Sequence, residues 1–307
     1  MDRCQLLRLS LTILLLSTQA QAEVYQWRDA QGRLHFGDTP PENQRSQPLH
    51  TASVTARSGL VQFQRQDFSL SAAAEQRVRE GLDTMLSLYT GTLGRDVRGD
   101  IVVNLNLISG RSEFHHWIRE RTGDTTSSGI AGVYITRTRE VAVWDWATEE
   151  QIVGTILHES SHVILAQLAP RAPSWIHEGM AQYVQMLQRE NDAIVIRPHP
   201  AAERIRSWTR NGELVSLRTY LNLPEPQWRK MAHNQDAMPY SVAWAMVYFM
   251  MSSPVGQQTL RRLLHDLEKS GQWPTAEAFD TRYPGGLIRM DYDFFRWAQG
   301  EMPPHRY

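Results

Sequence analysis

The residues with the clearest chemical potential are His158-Glu159-Ser160-Ser161-His162. On a helix the two histidines stand at i and i+4, so both imidazoles leave one face a single turn apart. Two neutral imidazoles in that relation can share one Zn2+ at about 2.0–2.1 Å each. Glu159 is rotated about 100° from His158, which puts it beside such a metal rather than on it. There it can take a proton from zinc-bound water, whose pKa the metal lowers to about 7.

A catalytic zinc takes three protein ligands and keeps one position open for water. The candidates for the third lie in Pro173-Ser174-Trp175-Ile176-His177-Glu178-Gly179-Met180-Ala181-Gln182-Tyr183. Ser174 is expected to cap a second helix, with Glu178 in its first turns. A turn from Ala169 to Ser174 would bring Glu178 back to the histidines, and Gly179 would let the two helices approach closely. The plainer role for Glu178 is a favourable charge near a helix N-terminus. His177 is the rival ligand, pointing about 100° away. His115, His116, His199 and His265 fit no ligand spacing and are read as surface or core residues.

These side chains need elements to hold them. Thr148-Glu149-Glu150-Gln151 is a capping-box signature. The helix it starts would run through Ile152, Ile156, Val163, Ile164 and Leu165 and stop before Pro170. Upstream, Ser71 to Tyr89 has helical spacing through Val78, Leu82, Met85 and Leu86. Ile101 to Ile108 reads as a strand, Glu113 to Arg121 as a short helix, and a Gly/Thr/Ser loop follows. Val133-Tyr134-Ile135 and Val141-Ala142-Val143-Trp144 are β-like, and Trp144-Asp145-Trp146 is expected to close a core. Beyond Pro170 the chain is mostly helical, with small closing helices near Thr275–Phe279 and Asp291–Ala298. The fold class is therefore α+β, a small mixed sheet preceding the histidine helix, within a domain spanning 59–307.

The first residues are set aside as a secretory leader over 1–22. Arg3 and Arg8 precede an apolar run from Leu11 to Leu16, and Ala20-Gln21-Ala22 predicts cleavage after Ala22. That run is shorter than the ~20 residues of a spanning helix, and no later segment reaches that length. An exported, periplasmic chain follows, with no stable membrane span once mature. The only cysteine, Cys4, lies in the leader. The mature chain then has no thiol, and any metal must be held by His, Asp or Glu. A net charge of −1 offers no footprint for nucleic acid.

Residues 23–41 carry two alternating runs around Asp29 to Gly32, a β-hairpin composition, and the polar stretch 42–58 reads as a linker. The hairpin has Tyr25-x-Trp27, an Asp29-Ala30-Gln31-Gly32 turn, Phe36 and Asp38-Thr39-Pro40-Pro41. In this it resembles a small domain of unknown function (DUF4124-like) found near the N-terminus of many bacterial envelope proteins. The resemblance implies a Gram-negative envelope location and carries no chemistry.

From Gly129 to Phe249 the chain resembles the gluzincin clan of metallopeptidases (peptidase MA-like). It is closest in pattern to compact bacterial members, in which a strand pair precedes H-E-x-x-H and a W-x-x-E-G-x-A-x-Y helix follows. The resemblance implies a zincin-like fold, His158, His162 and Glu178 as metal ligands, and Glu159 as general base. It also implies an extended peptide or protein substrate pairing with the strand at Val133 to Trp144. Related families place an oxyanion donor at the start of a later helix, which makes Tyr240 the candidate and His233 its alternative. Tyr240, Trp244, Val247, Tyr248 and Met251 would share one helix face. The spacing from His162 to Glu178 is shorter than in the thermolysin-like and aminopeptidase branches, so their substrate rules do not carry over. An envelope zinc metallopeptidase is the expected function. A non-catalytic zincin-fold binding protein and a zinc amidase acting on peptidoglycan peptides are the alternatives.

Overall fold

Two alternating runs near the N-terminus pair as strands in the computed structural model. In it β1 (Val24–Arg28) and β2 (Leu34–Gly37) lie antiparallel, with Trp27 opposite His35. The structure describes residues 24–28, 34–37, 47–49, 60–94, 101–123, 130–191, 193–233, 237–270 and 275–307. The expected leader, the hairpin turn and the loop at 124–129 lie outside them. The chain divides into two units, Met1–Val54 and Thr55–Tyr307.

In the first unit β1 also pairs with β3 (Gln47–Leu49), giving the antiparallel order β2-β1-β3. Residues 47–49 therefore do not belong to a linker, as the polar composition of 42–58 suggested. A lone hairpin is marginal in water, and a third strand occupies the free edge of β1. Three residues are too few to show an alternation. Pro48 is tolerated because β3 is an edge strand.

The second unit begins with β4 (Val61–Gln66) and α1 (Ala72–Ser87), which runs into a π turn at Leu88–Thr92. Then come β5 (Val103–Ile108), α2 (Arg111–Thr122), β6 (Gly132–Ile135) and β7 (Glu140–Trp144). Their sheet has the order β4-β5-β7-β6, parallel through β4, β5 and β7, with β6 antiparallel at the edge. Side chains alternate as the pleat requires. Val103, Leu105 and Leu107 of β5 enter the main core, whereas Ile108 joins a smaller cluster with Phe114, Trp117 and Ile135.

The histidine helix is α3 (Glu149–Leu168), packed across β6 and β7. Its capping box forms, with Thr148 and Gln151 satisfying each other's backbone N–H. Glu149, its first residue, also grips the N-cap of α1. Its carboxylate accepts from Ser71 N at 2.5 Å and Ser71 Oγ at 2.7 Å. Those bonds hold its pKa below the usual carboxylate range.

The remaining chain is mostly helical, in keeping with the α+β expectation. It comprises α4 (Ser174–Gln185), β8 (Leu187–Glu190), β9 (Ala193–Ile196), α5 (Ala201–Asn211), α6 (Leu217–Leu221) and α7 (Glu225–His233). Then follow α8 (Ala237–Met251), α9 (Pro254–Ser270), α10 (Ala278–Arg282), α11 (Gly286–Gln299) and β10 (His305–Arg306). The strand β10 adds to the β8–β9 hairpin and ties the C-terminus to β9. Every residue of α8 from Ser241 to Met251 is buried, so it is a central helix and not a one-faced one. Gly179 of α4 lies against it. A Cβ there would stand 2.5 Å from the Ala243 carbonyl oxygen and 2.7 Å from Val247. The close approach that Gly179 permits is thus α4 to α8, and not α4 to the histidine helix as expected.

Candidate metal centre

The central part of α3 is apolar on most faces, and Ile156, Leu157, Val163 and Ile164 anchor it in the core. His158 and His162 are left partly buried on one face, with ring centroids 5.1 Å apart and planes at 83°. The turn at Pro170 and Arg171 reverses the chain into α4, and Glu178 returns to that face. Its two oxygens lie 3.6 Å from His158 Nε2 and 3.7 Å from His162 Nε2. The three side chains can each offer one donor atom within 4.8 Å of the others.

This donor set fits a tetrahedral divalent cation. Two ligands at about 2.0–2.1 Å on such an ion stand about 3.3–3.4 Å apart, close to the two histidine–Glu178 spacings. The ring orientation fits as well. His158 Nδ1 lies 3.0 Å from Gln185 Oε1, an acceptor that fixes the proton on Nδ1 and leaves Nε2 facing Glu178. At His158 burial opposes the charged form, but Glu178 and Glu159 outweigh it and raise the pKa to about 9. At His162 burial prevails and the pKa falls to about 4. Burial pushes Glu178 up, yet the two histidines hold it below its ordinary value.

Glu159 stands beside the cluster, 9% exposed. Burial raises its pKa to about 7, while His158 and a hydrogen bond from the Tyr134 backbone N–H pull it down. That bond comes from the edge strand β6. The same strand passes so close at Gly132 that a Cβ there would meet Thr155 at 2.7 Å and Glu159 Cγ at 3.0 Å.

Tyr240 is at the same cleft, 37% exposed, in the first turn of α8. Burial, with Glu178 and Glu159 nearby, raises its pKa to about 12, so it is a neutral donor at ordinary pH. Its ring packs edge-on to Trp228 at 5.4 Å. Trp228 Nε1 donates to Tyr220 Oη at 3.0 Å, and Tyr220 Oη donates to the Pro239 carbonyl at 2.7 Å. Gln182 Nε2 of α4 reaches the Tyr240 carbonyl at 3.3 Å. His233 ends α7, and its side chain lies outside the described residues. The rival His177 has its ring 5.9 Å from that of His162, and it does not join the His158/His162/Glu178 donor cluster.

Ser174 is not a cap. The α4 N-cap is Pro173, and the Ser174 hydroxyl instead bonds the Glu225 carboxylate. Three further residues of the site escaped sequence reasoning. Gln185 stands seven residues, about two turns, after Glu178 on the same helix, a spacing that could have pointed to it. His199 is neither core nor free surface but lines the cleft, as does Arg204. His115 is partly buried, and His116 and His265 are exposed, all apart from the cleft as expected. Trp144 packs with the smaller core cluster, whereas Trp146 is 37% exposed.

A family model described as a domain of unknown function (DUF4124) matches residues 11–58. The match covers the three-stranded unit, consistent with the resemblance read from its Tyr25, Trp27 and Asp38-Thr39-Pro40-Pro41. No curated protein matches the chain. Among the described residues no helix is long and apolar enough to cross a membrane.

Proposed function

We propose that this chain is a zinc-dependent hydrolase of the gluzincin type, cutting amide bonds of extended peptides in the bacterial envelope. The convergence of His158, His162 and Glu178 on one point, with Glu159 beside them, carries the proposal. These three residues would hold the metal in a zincin-like fold. Zinc, when bound, supplies Lewis acidity that makes coordinated water acidic near neutral pH and polarises the substrate carbonyl.

Glu159 accepts the proton of the attacking water on its carboxylate and returns it to the leaving amine nitrogen. A group poised near neutral pH suits both transfers, and its burial under β6 supports that role. Tyr240 donates its hydroxyl proton in a hydrogen bond to the developing oxyanion, from a position fixed by Trp228 and Tyr220. Among the described residues one side of the edge strand β6 is unpaired, and there an extended substrate can add as a strand. Such pairing reads main chain along the strand whose Tyr134 N–H bonds Glu159. The envelope location rests on the expected leader and on what the resemblance of the N-terminal hairpin to bacterial envelope proteins implies.

The purified mature chain should bind close to one zinc by elemental analysis. Glu159→Gln should keep that metal and lose hydrolysis of a broad peptide library. Full activity in that variant would overturn the mechanism. Zinc-loaded protein that cleaves nothing while retaining one stoichiometric partner would favour a binding role instead.

A further inference from the structure

The cleft that opens on the candidate metal centre has a volume of about 1280 Å³ and an uneven distribution of charge. Among the described residues its lining carboxylates are Glu159 and Glu178, both at the metal end. Its lining cations are Arg171, Arg204 and Arg229. Arg229 is engaged by Glu225 at 2.6 Å. Arg204 is held differently. Its Nε donates to Ser241 Oγ at 3.2 Å, and Ser241 is a fully buried residue next to Tyr240. Among the described residues its two terminal amino groups have no acidic partner. A guanidinium oriented at Nε, with its outer N–H fork unused, is preorganised for a planar anion.

His199 adds a second donor to the same wall. Its Nδ1 accepts the Ala201 backbone N–H at 3.1 Å, so the neutral ring carries its proton on Nε2. The ring packs 6.0 Å from the buried Trp244, and Nε2 is not among the buried atoms left without a partner. The residue lines the cleft. Burial, helped by the charges of Arg204 and His158, lowers the His199 pKa to about 4 and keeps the ring a neutral donor. His199, Arg204 and His158 line the same cleft.

We propose that the substrate of this cleft carries a carboxylate that docks on Arg204, with His199 Nε2–H as the neighbouring donor. This rests on the hydrolase reading and adds a substrate class to it: peptides with a free carboxylate on the Tyr240 side of the scissile bond. The carboxylate can come from a C-terminus or from an Asp or Glu side chain, since both present the same two oxygens to the fork.

The test uses one random octapeptide library in three forms. These have free C-termini, amidated C-termini, or amidated C-termini with Asp and Glu omitted. Each is passed over immobilised, zinc-loaded full-length Glu159→Gln protein, and retained peptides are quantified by mass spectrometry. The carboxylate-free library should be retained about tenfold less well than the better of the others, the lower range for hydrogen bonds to a charged group. The first two forms separate a terminal from a side-chain carboxylate. Adding Arg204→Gln should abolish the difference, Arg204→Lys should restore it in part, and Arg171→Gln should leave it intact.

Equal retention of the three libraries would overturn the inference, as would a preference that survives Arg204→Gln. Cleavage of the carboxylate-free library by wild-type protein as efficiently as the others would also overturn it, while leaving the hydrolase reading standing. Neither retention nor cleavage of any library would overturn both.

Discussion

Gln185 and His158, 27 residues apart in the chain, are joined by a 3.0 Å hydrogen bond between Oε1 and Nδ1. The bond spans α4 and α3, so the helix that supplies Glu178 also orients the first histidine. Removing the acceptor frees the ring to rotate and to carry its proton on either nitrogen. Gln185→Leu is expected to weaken zinc binding by about 10–100-fold, the range for losing such an outer partner. A competition titration against a chelator of known affinity measures it. Gln185→Glu, which keeps the acceptor, should bind zinc at least as well as wild type, and equal weakening in both variants would exclude the orienting role.

Gly179 sits mid-helix, where alanine would ordinarily favour the helix by about 1 kcal/mol. Here the added methyl would stand 2.5 Å from the Ala243 carbonyl oxygen, backbone that cannot swing aside. Overpacking of this kind costs about 1–3 kcal/mol and exceeds the propensity gain. Gly179→Ala should therefore lower the midpoint of urea unfolding without changing its slope. It should also lower zinc affinity, because Glu178 is the preceding residue. A raised midpoint would show that α4 and α8 are not so closely packed.

His305, in the C-terminal strand β10, stacks on Tyr248 at 4.1 Å and shares a 2.8 Å hydrogen bond with Tyr183 Oη of α4. Its Nε2 is buried without a hydrogen-bond partner among the described residues, and burial lowers its pKa to about 4. The unfolded chain, with an ordinary histidine near 6.5, then binds more protons than the folded one between pH 4 and 6.5. This contribution to stability is complete above about pH 6.5 and declines as the pH falls towards 4. His199, also lowered to about 4, acts in the same direction. Thermal midpoints should fall between pH 7 and pH 5, and His305→Gln should flatten that fall by up to one proton's worth of slope. An unchanged slope would mean that His305 titrates normally in the fold.

Much of this site is local, and for that reason it was legible in the sequence. The i, i+4 histidines, the Thr148/Gln151 box and the stop at Pro170 all depend on backbone geometry within one helix. The β-like runs that became β5, β6 and β7 are likewise local, each within a single strand. Glu178 was reachable because a short turn leaves few places for a following helix to go. The partners that complete the cleft were not reachable in this way. Gln185 meets His158 because α4 packs back on α3, closely enough that a Cβ on Gly154 would stand 3.3 Å from the Gln185 carbonyl oxygen. His199 and Arg204 reach the cleft through a strand pair and the start of a further helix. Their spacing from the histidines carries no period. The strand at Gln47–Leu49 was hidden for a related reason, since its stability comes from the free edge of β1 rather than its own residues. Sequence determined which side chains could act and on which faces they stand. The tertiary structure decided which of them meet, because that depends on close packing between helices far apart in the chain.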